Sequence, residues 1–319
     1  MQKHLVQVRS VRKLGTDILG FTFASATGRP LPEFEPGAHI DVQLPNGVSR
    51  QYSLCNTYEP GGTYQIAVKL EPASRGGSTF LHKQIVEGDI LQISSPKNLF
   101  ALDPSARHAL LLAGGIGVTP ILSMAQHLSA KNQPFEFEYF IRSREDAAFL
   151  DKLEKDSTLG SNTNLNIGLT PEETTSRLAD ILAEQVDGTH VYFCGPGGFV
   201  SAVRKASEHW SSDTVHFESF SAAESPHSEQ EDAFEVILAK TGRTIQVDGG
   251  QTLADALKAE GLSIETSCGQ GICGTCRTVV LDGSPDHRDM ILSDSEKASG
   301  DVIMVCVSRA TGGTLVLDL

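Results

Sequence analysis

The sequence predicts a multidomain α/β and β protein: an antiparallel β-barrel, a doubly wound α/β domain, then a small cysteine-bearing domain. Three observations predict it. Short strand-like segments separated by turn signals fill the first third of the chain. A continuous apolar run then leads through a glycine-rich turn into a helix-like stretch, as a buried parallel strand does. Further on, Cys268, Cys273 and Cys276 stand in C-x4-C-x2-C spacing, with Cys306 downstream.

Residues 1–101 carry the barrel. Val6–Val11, Leu19–Phe23, His39–Leu44, Tyr64–Leu70 and Ile90–Ile93 are rich in β-branched or aromatic residues. Pro36-Gly37, Asn46-Gly47, Gly61-Gly62 and Gly88-Asp89 separate them. Asn46-Gly47 between two strand-like runs is a type I′ hairpin signal. Two clusters stand out. Arg50-Gln51-Tyr52-Ser53-Leu54 offers a guanidinium, a ring and a hydroxyl within a few residues. Arg75-Gly76-Gly77-Ser78-Thr79 precedes a helix-like stretch and reads as a phosphate nest: Gly amides, a hydroxyl, a helix N-terminus. Each signal is weak alone, because Arg-x-Tyr-Ser also suits an ordinary strand and Gly-Gly-Ser an ordinary loop.

Residues 102–221 carry the α/β domain. Ala109–Ala113 is apolar throughout and leads into Gly114-Gly115-Ile116-Gly117-Val118-Thr119-Pro120. Thr119 is expected as the helix N-cap and Pro120 as the first helical residue. A pyrophosphate can sit on such a helix N-terminus. The turn departs from G-x-G-x-x-G, since Pro120 stands in the third glycine position. On its own it leaves nucleotide binding open. Further strands are expected at Phe135–Ile141, His190–Phe193 and Thr214–Phe217, with helical stretches at Leu178–Glu184 and Phe199–His209. The second strand ends at Arg142-Ser143-Arg144, the third at Cys194-Gly195-Pro196 and the fourth at Glu218-Ser219-Phe220. Ligands of such sheets bind at these C-terminal ends.

Residues 222–232 are acidic, nearly devoid of bulky apolar side chains, and read as a linker. Residues 233–319 form the last domain. Phe234–Leu238 and Thr244–Val247 flank Thr241-Gly242 as a hairpin, a helix begins near Thr252, and Val302–Val307 is a strand carrying Cys306. The cysteine spacing is the one that holds a 2Fe–2S cluster by four thiolates. Gly269, Gly271 and Gly274 let the loop turn its amides inward. Disulfides need an oxidising compartment, and nothing else in the chain reads as secreted. The alternative, structural zinc, favours two short Cys/His pairs.

Composition bounds the function. With 39% hydrophobic and 21% charged residues, the chain reads as a soluble globular protein. It shows neither a signal peptide nor a membrane span, so cytoplasm is the default. A net charge of −14 opposes nucleic acid and suits a partner with a basic patch. A monomer is expected.

The order of these parts resembles the ferredoxin–NADP reductase superfamily with a C-terminal ferredoxin, in particular the phthalate dioxygenase reductase and vanillate demethylase reductase family. The resemblance covers essentially the full length and rests on the motifs above. It rests also on Cys55-Asn56, Asp286-His287-Arg288-Asp289 and Val305-Cys306-Val307-Ser308-Arg309-Ala310. It implies a flavin-binding barrel, an NAD-binding domain and a β-grasp ferredoxin. Arg50, Tyr52 and Ser53 would hold FMN, with Arg50 toward the phosphate and Ser53 near the reactive ring edge. Ala67, Val68 and Lys69 would line the ring through their backbone, and Gly76, Gly77 and Ser78 would complete the phosphate site. Gly115, Gly117 and Thr119 would receive NADH. Cys194, with Gly195 and Pro196, would lie near the nicotinamide, and Phe220 would cover the flavin. Ser53, Cys194 and Glu218 are the expected catalytic residues. Cys268, Cys273, Cys276 and Cys306 would hold the iron. Flavin belongs between a hydride donor and a one-electron cluster. The implied partner is a terminal Rieske-type oxygenase. The competing function is a free-standing flavin reductase or diaphorase whose ferredoxin is a regulatory module.

Overall fold

The computed structural model describes residues 2–72, 74, 76–220, 232–266, 269, 271, 274–289 and 291–319. Arg75, Cys268, Cys273 and the predicted linker up to residue 231 lie outside the described residues. The chain forms two compact units, Met1–Phe220 and Ser221–Leu319.

The first unit begins with β1 (Lys3–Gly15), β2 (Ile18–Ser25), β3 (His39–Gln43), β4 (Ser49–Ser53), β5 (Tyr64–Lys69), α1 (Gly77–Gln84) and β6 (Ile90–Ser94). The strands pair antiparallel in the order β4-β3-β6-β1-β2-β5. Just beyond β4 the Cys55 amide donates to the Gln65 carbonyl at 2.9 Å, so the two sheet edges meet and the sheet curls into a barrel. Alternation along the strands supplies its core: Val6 and Val8, Phe21 and Phe23, Ile40 and Val42, Leu91 and Ile93 all point inward. Gly47 takes φ +84° in the predicted hairpin turn.

The α/β part follows: β7 (His108–Gly114), α2 (Val118–Ala130), β8 (Phe135–Ile141), α3 (Leu150–Lys155), α4 (Ser157–Ser161), β9 (Thr163–Ile167), α5 (Pro171–Ile181), β10 (Thr189–Gly195), α6 (Gly197–Ala206) and β11 (Val215–Ser219). All pairs are parallel, in the order β11-β10-β7-β8-β9. The chain builds outward from β7 on one side and returns to its other side with β10. The order therefore reverses between β7 and β10, the switch point where open sheets bind ligands. The core between the sheet and α2–α4 includes Leu111, Ile121, Leu122, Phe137, Tyr139 and Leu153.

Two local readings are corrected here. Strand β9 was not expected, because Thr-Asn-Leu-Asn-Ile lacks an apolar run; it is an edge strand with a polar purpose. Asn164 and Asn166 donate to buried Glu138 on β8 at 2.9 and 2.6 Å, and Arg177 of α5 completes the set at 3.1 Å. A carboxylate buried in a sheet needs such partners. The second correction concerns α2. A single 3-10 turn at Gly115–Gly117 runs straight into the helix, so Gly117 is the N-cap and Val118 the first residue. Thr119 is one position inside, and its hydroxyl donates to the Ile116 carbonyl at 3.1 Å. Pro120 still lies in the first turn, where its missing N–H costs nothing.

The second unit contains β12 (Phe234–Leu238), β13 (Thr244–Val247), α7 (Leu253–Ala259), β14 (Arg277–Asp282), β15 (Pro285–Asp286), α8 (Asp294–Ser299), β16 (Val302–Met304), β17 (Arg309–Ala310) and β18 (Thr314–Leu317). Its main sheet runs β13-β12-β18-β14-β16, with β12 and β18 parallel and the other pairs antiparallel. Thr252 caps α7 by accepting from the Asp255 amide, and Leu253, Ala256 and Leu257 pack on the sheet. Cys306 sits in the turn after β16 rather than on the predicted strand, since β16 ends at Met304. Among the described residues no helix is long and apolar enough to cross a membrane.

Candidate functional site

Ser53, Cys194 and Glu218 of the predicted site residues meet where the end of barrel strand β4 reaches the C-terminal ends of β10 and β11. Ser53, only 4% exposed, donates its hydroxyl to Glu218 Oε2 at 2.9 Å. Cys194 pairs in register with Glu218 across β10 and β11. Burial pushes the Glu218 carboxyl up to about 7, although the Ser53 hydroxyl pulls the other way. Burial, then the nearby Glu218 charge, holds the Cys194 thiol well above its usual range, so it stays a thiol at neutral pH. The group thus combines a proton-holding carboxyl, a hydroxyl and a small buried thiol.

Sequence reasoning missed His39. It sits on β3 directly across from Ser53 and is buried. Its Nδ1 lies 4.0 Å from Glu218 Oε1, and its Nε2 lies 3.1 Å from Gln51 Nε2. A histidine between buried Ala38 and Ile40 was the available signal, but only strand pairing places it beside Ser53.

Of the predicted phosphate nest, Gly76, Gly77 and Ser78 open α1, and Arg75 lies outside the described residues. Gly76 takes φ +89° as the N-cap of α1, and no side chain caps the helix. A Cβ on Gly77 would stand 2.6 Å from Arg50 Cγ, so the Arg50 stem lies against the helix N-terminus. Ser78 Oγ accepts from the Glu71 amide at 3.1 Å and ties down the preceding loop. An uncapped helix N-terminus with a guanidinium beside it fits a phosphate. Tyr52 is mostly buried, its hydroxyl pushed up to about 12 by burial and partly offset by Arg50, so it remains a neutral ring. The Ala67 side chain belongs to the α/β core, and the Val68 carbonyl meets His82 Nε2 at 2.8 Å. Lys69 is half-buried at the end of β5. Phe220, 37% exposed, is the last residue of the unit.

At the switch point Gly115 takes φ +54°. Gly117 passes so close to β10 that a Cβ would fall 2.2 Å from the Cys194 carbonyl oxygen and 2.6 Å from the Gly195 nitrogen. Pro196 is the N-cap of α6, again without a side-chain cap. Two uncapped helix N-termini, of α2 and α6, therefore flank the switch point, which fits a pyrophosphate. Gly117→Ala is expected to cost about 1–3 kcal/mol by overpacking and to weaken dinucleotide use. Gly198→Ala, where a Cβ meets nothing within 4 Å, should be neutral. Thermal unfolding of both variants checks this; equal tolerance would contradict the packing.

In the second unit Gly269, Gly271 and Gly274 all have positive φ: 64°, 70° and 71°. A Cβ on Gly271 would stand 2.5 Å from Val307 Cγ2 and 3.0 Å from the Asp289 Cα. The buried Cys276 and Cys306 sulfurs are 3.1 Å apart, beyond the 2.03–2.05 Å of a disulfide and close enough to share one metal ion. The donor set fits an iron–sulfur group. The Cys55 thiol, by contrast, is buried in the first unit and pushed up to about 12, a packing residue.

The chain is similar to known proteins over nearly its whole length. Residues 236–311 match the 2Fe-2S iron-sulfur cluster binding domain, and residues 93–215 match the N-terminal domain of dimethylamine monooxygenase subunit DmmA-like proteins. The vanillate O-demethylase oxidoreductase of a Pseudomonas species is 44% identical over 317 residues, covering 98% of this chain and 99% of that one. The solved phthalate dioxygenase reductase is described as a modular structure for electron transfer from pyridine nucleotides to 2Fe–2S. It aligns with a TM-score of 0.75 at 38% identity, covering 99% of this chain and 98% of that one. An intact type IV self-sufficient cytochrome P450 monooxygenase aligns with a TM-score of 0.81 at 39% identity, covering 99% of this chain and 41% of that one. By these full-length matches and the sites they accompany, the chain belongs to the phthalate dioxygenase reductase and vanillate O-demethylase oxidoreductase family, oxidoreductases with a C-terminal 2Fe–2S ferredoxin domain.

Proposed function

We propose that the chain is the NADH-dependent, FMN- and 2Fe–2S-containing reductase of a Rieske-type oxygenase. Its domains would be residues 1–101, 102–221 and 233–319, joined before the last by residues 222–232. When bound, flavin accepts the two electrons of a hydride and releases them singly, as a 2Fe–2S cluster requires. The Ser53–Glu218 hydrogen bond carries the reading. It sets residues suited to a flavin and residues suited to a dinucleotide at one place, beside the switch point.

Each residue has a proposed task. Arg50 and the amides at Gly76 and Gly77 neutralise a phosphate, and Tyr52 supplies an apolar wall. Ser53 and Glu218 hold a proton near the reacting edge, with His39 positioning the carboxyl. Gly115, Gly117 and Thr119 shape the α2 turn for the pyrophosphate, and Cys194, Gly195 and Pro196 leave room for a flat ring. Phe220 covers the flavin face. Cys268, Cys273, Cys276 and Cys306 hold the iron. Ion pairing of Arg144 with Glu154 supports NADH over NADPH, since that acid offsets charge a 2′-phosphate would need. The names of the relatives, O-demethylase and dioxygenase, support an oxygenase acceptor, and the chain's −14 charge suits a basic docking face on it. We place the protein in the cytoplasm, where Cys55 and Cys194 stay reduced.

The experiment is a cofactor and substrate assay on the purified protein. Released flavin should co-elute with FMN. The kcat/KM should favour NADH over NADPH by at least about tenfold, or roughly 1.4 kcal/mol. Recovery of FAD, or equal use of NADPH, would contradict the reading.

A further inference from the structure

Asp103, His190 and His216 converge at the end of the parallel sheet opposite its glycine turns. His190 and His216 are each the second residue of their strands, and Asp103 lies on the segment that enters β7. Ligand-capable atoms of the three all lie within 4.8 Å of one another. His190 Nδ1 and His216 Nε2 are 2.9 Å apart. None of the three belongs to the site described above.

The cluster is held in place by its surroundings. The His216 ring stacks on Tyr192 at 4.6 Å, and it meets the His190 ring edge to edge in nearly the same plane, with centroids 5.2 Å apart. Strand register sets Tyr192 against His216. The Tyr192 hydroxyl accepts from the Asp103 amide at 2.9 Å. The Ser105 amide and hydroxyl both donate to Asp103 Oδ1, at 2.7 and 2.6 Å, which fixes the carboxylate. His190 is only 6% exposed, while Asp103 and His216 are half-buried and reachable from solvent.

We propose that Asp103, His190 and His216 form a metal site for a zinc-class divalent ion, with water as the fourth ligand. Two imidazoles and one carboxylate are a ligand set that zinc takes in open sites. A tetrahedral ion with bonds of about 2.0–2.1 Å sets its ligand atoms roughly 3.3 Å apart. The two nitrogens face each other at 2.9 Å, so each ring must swing by roughly 35° and the pair separate by a few tenths of an ångström to aim both at one tetrahedral ion, while the carboxylate closes in. The ordered partners of Asp103 and the stacked rings are the outer support that orients metal ligands. The ion would tie the segment between barrel and sheet to the first residues of β10 and β11. Its effect would be on stability, far from the dinucleotide turns at the other end of those strands.

The test uses the flavin- and iron-loaded protein, incubated with zinc sulfate and desalted, with zinc and iron measured together. Wild type should retain about one zinc per chain, with iron and the visible cluster absorbance unchanged, and its unfolding temperature should rise with added zinc. His216→Gln and Asp103→Asn should retain no such zinc and show no zinc-dependent rise, while NADH-driven ferricyanide reduction confirms that they fold. Equal zinc in wild type and His216→Gln overturns the proposal. So does no zinc in wild type, which leaves only a histidine–histidine hydrogen bond. So does zinc gained with matching loss of iron, which places the ion in the ferredoxin domain.

Discussion

Replacing Cys276 or Cys306 by Ser is expected to abolish electron delivery to a one-electron protein acceptor while NADH-driven reduction of ferricyanide continues. The two sulfurs are buried and 3.1 Å apart, so each replacement puts a hydroxyl where a soft thiolate is needed. Metal binding in such a domain is also folding free energy. Both cysteines lie in the core with Val236, Leu253, Leu257 and Leu315, so iron loss should loosen that unit as well. The first unit keeps its own two cores and should be untouched. The expected loss with a cytochrome-type acceptor is more than about a hundredfold, or roughly 2.7 kcal/mol. Ser at Cys268 or Cys273 should do the same. Cys55→Ser, where the thiol donates to the Gln65 carbonyl, should leave the iron content unchanged. Iron analysis and paired acceptor assays check this. A free-standing diaphorase would lose nothing with either acceptor, and a shared collapse of both activities would deny that the units are independent.

The second large effect concerns Glu218. With its carboxyl pushed up to about 7, wild type exchanges a proton there near neutrality. Glu218→Gln removes that exchange but keeps an oxygen for the Ser53 hydroxyl. Loss of a positioned proton donor costs about a hundredfold or more in rate. Stopped-flow flavin reduction by NADH should therefore slow by that order, and its inflection near pH 7 should vanish. The same shift has a stability consequence of definite sign. The folded carboxyl holds its proton more tightly than the unfolded one, at 4.5. Wild type therefore loses stability as pH rises from there through 7, by about 3 kcal/mol once both states are ionised. Glu218→Gln escapes that loss. It should unfold at a higher temperature than wild type at pH 8, with the difference closing toward pH 4.5. An unchanged pH profile for both rate and unfolding temperature would remove Glu218 from the site.

Local chemistry made much of this legible in the sequence. The barrel strands, the Gly114–Pro120 turn and the cysteine spacing each follow from residue types a few positions apart. What stayed hidden depends on partners far along the chain. Ser53 and Glu218 are 165 residues apart, and their hydrogen bond exists only because β4 ends where β11 does. His39 enters the site through cross-strand register with Ser53. Strand β9 carries no apolar strand signal because Asn164 and Asn166 serve Glu138 instead of an apolar core. The Thr119 cap failed for a local reason: the 3-10 turn starts the helix early, and an uncapped N-terminus is what a ligand phosphate needs. In the second unit, β14 and β18 follow the glycine loop with short, half-polar sequences, and β18 pairs between β14 and β12, a strand far back in the chain.

The central claim is that one chain carries a two-electron and a one-electron centre in series. Anaerobic titration with a calibrated reductant, followed by visible absorbance, tests it most directly. The account predicts roughly three electrons per chain, two entering the flavin and one the cluster, with the cluster's share absent in Cys276→Ser. Uptake of only two electrons by the iron-loaded wild type, or an unchanged count in Cys276→Ser, would contradict it.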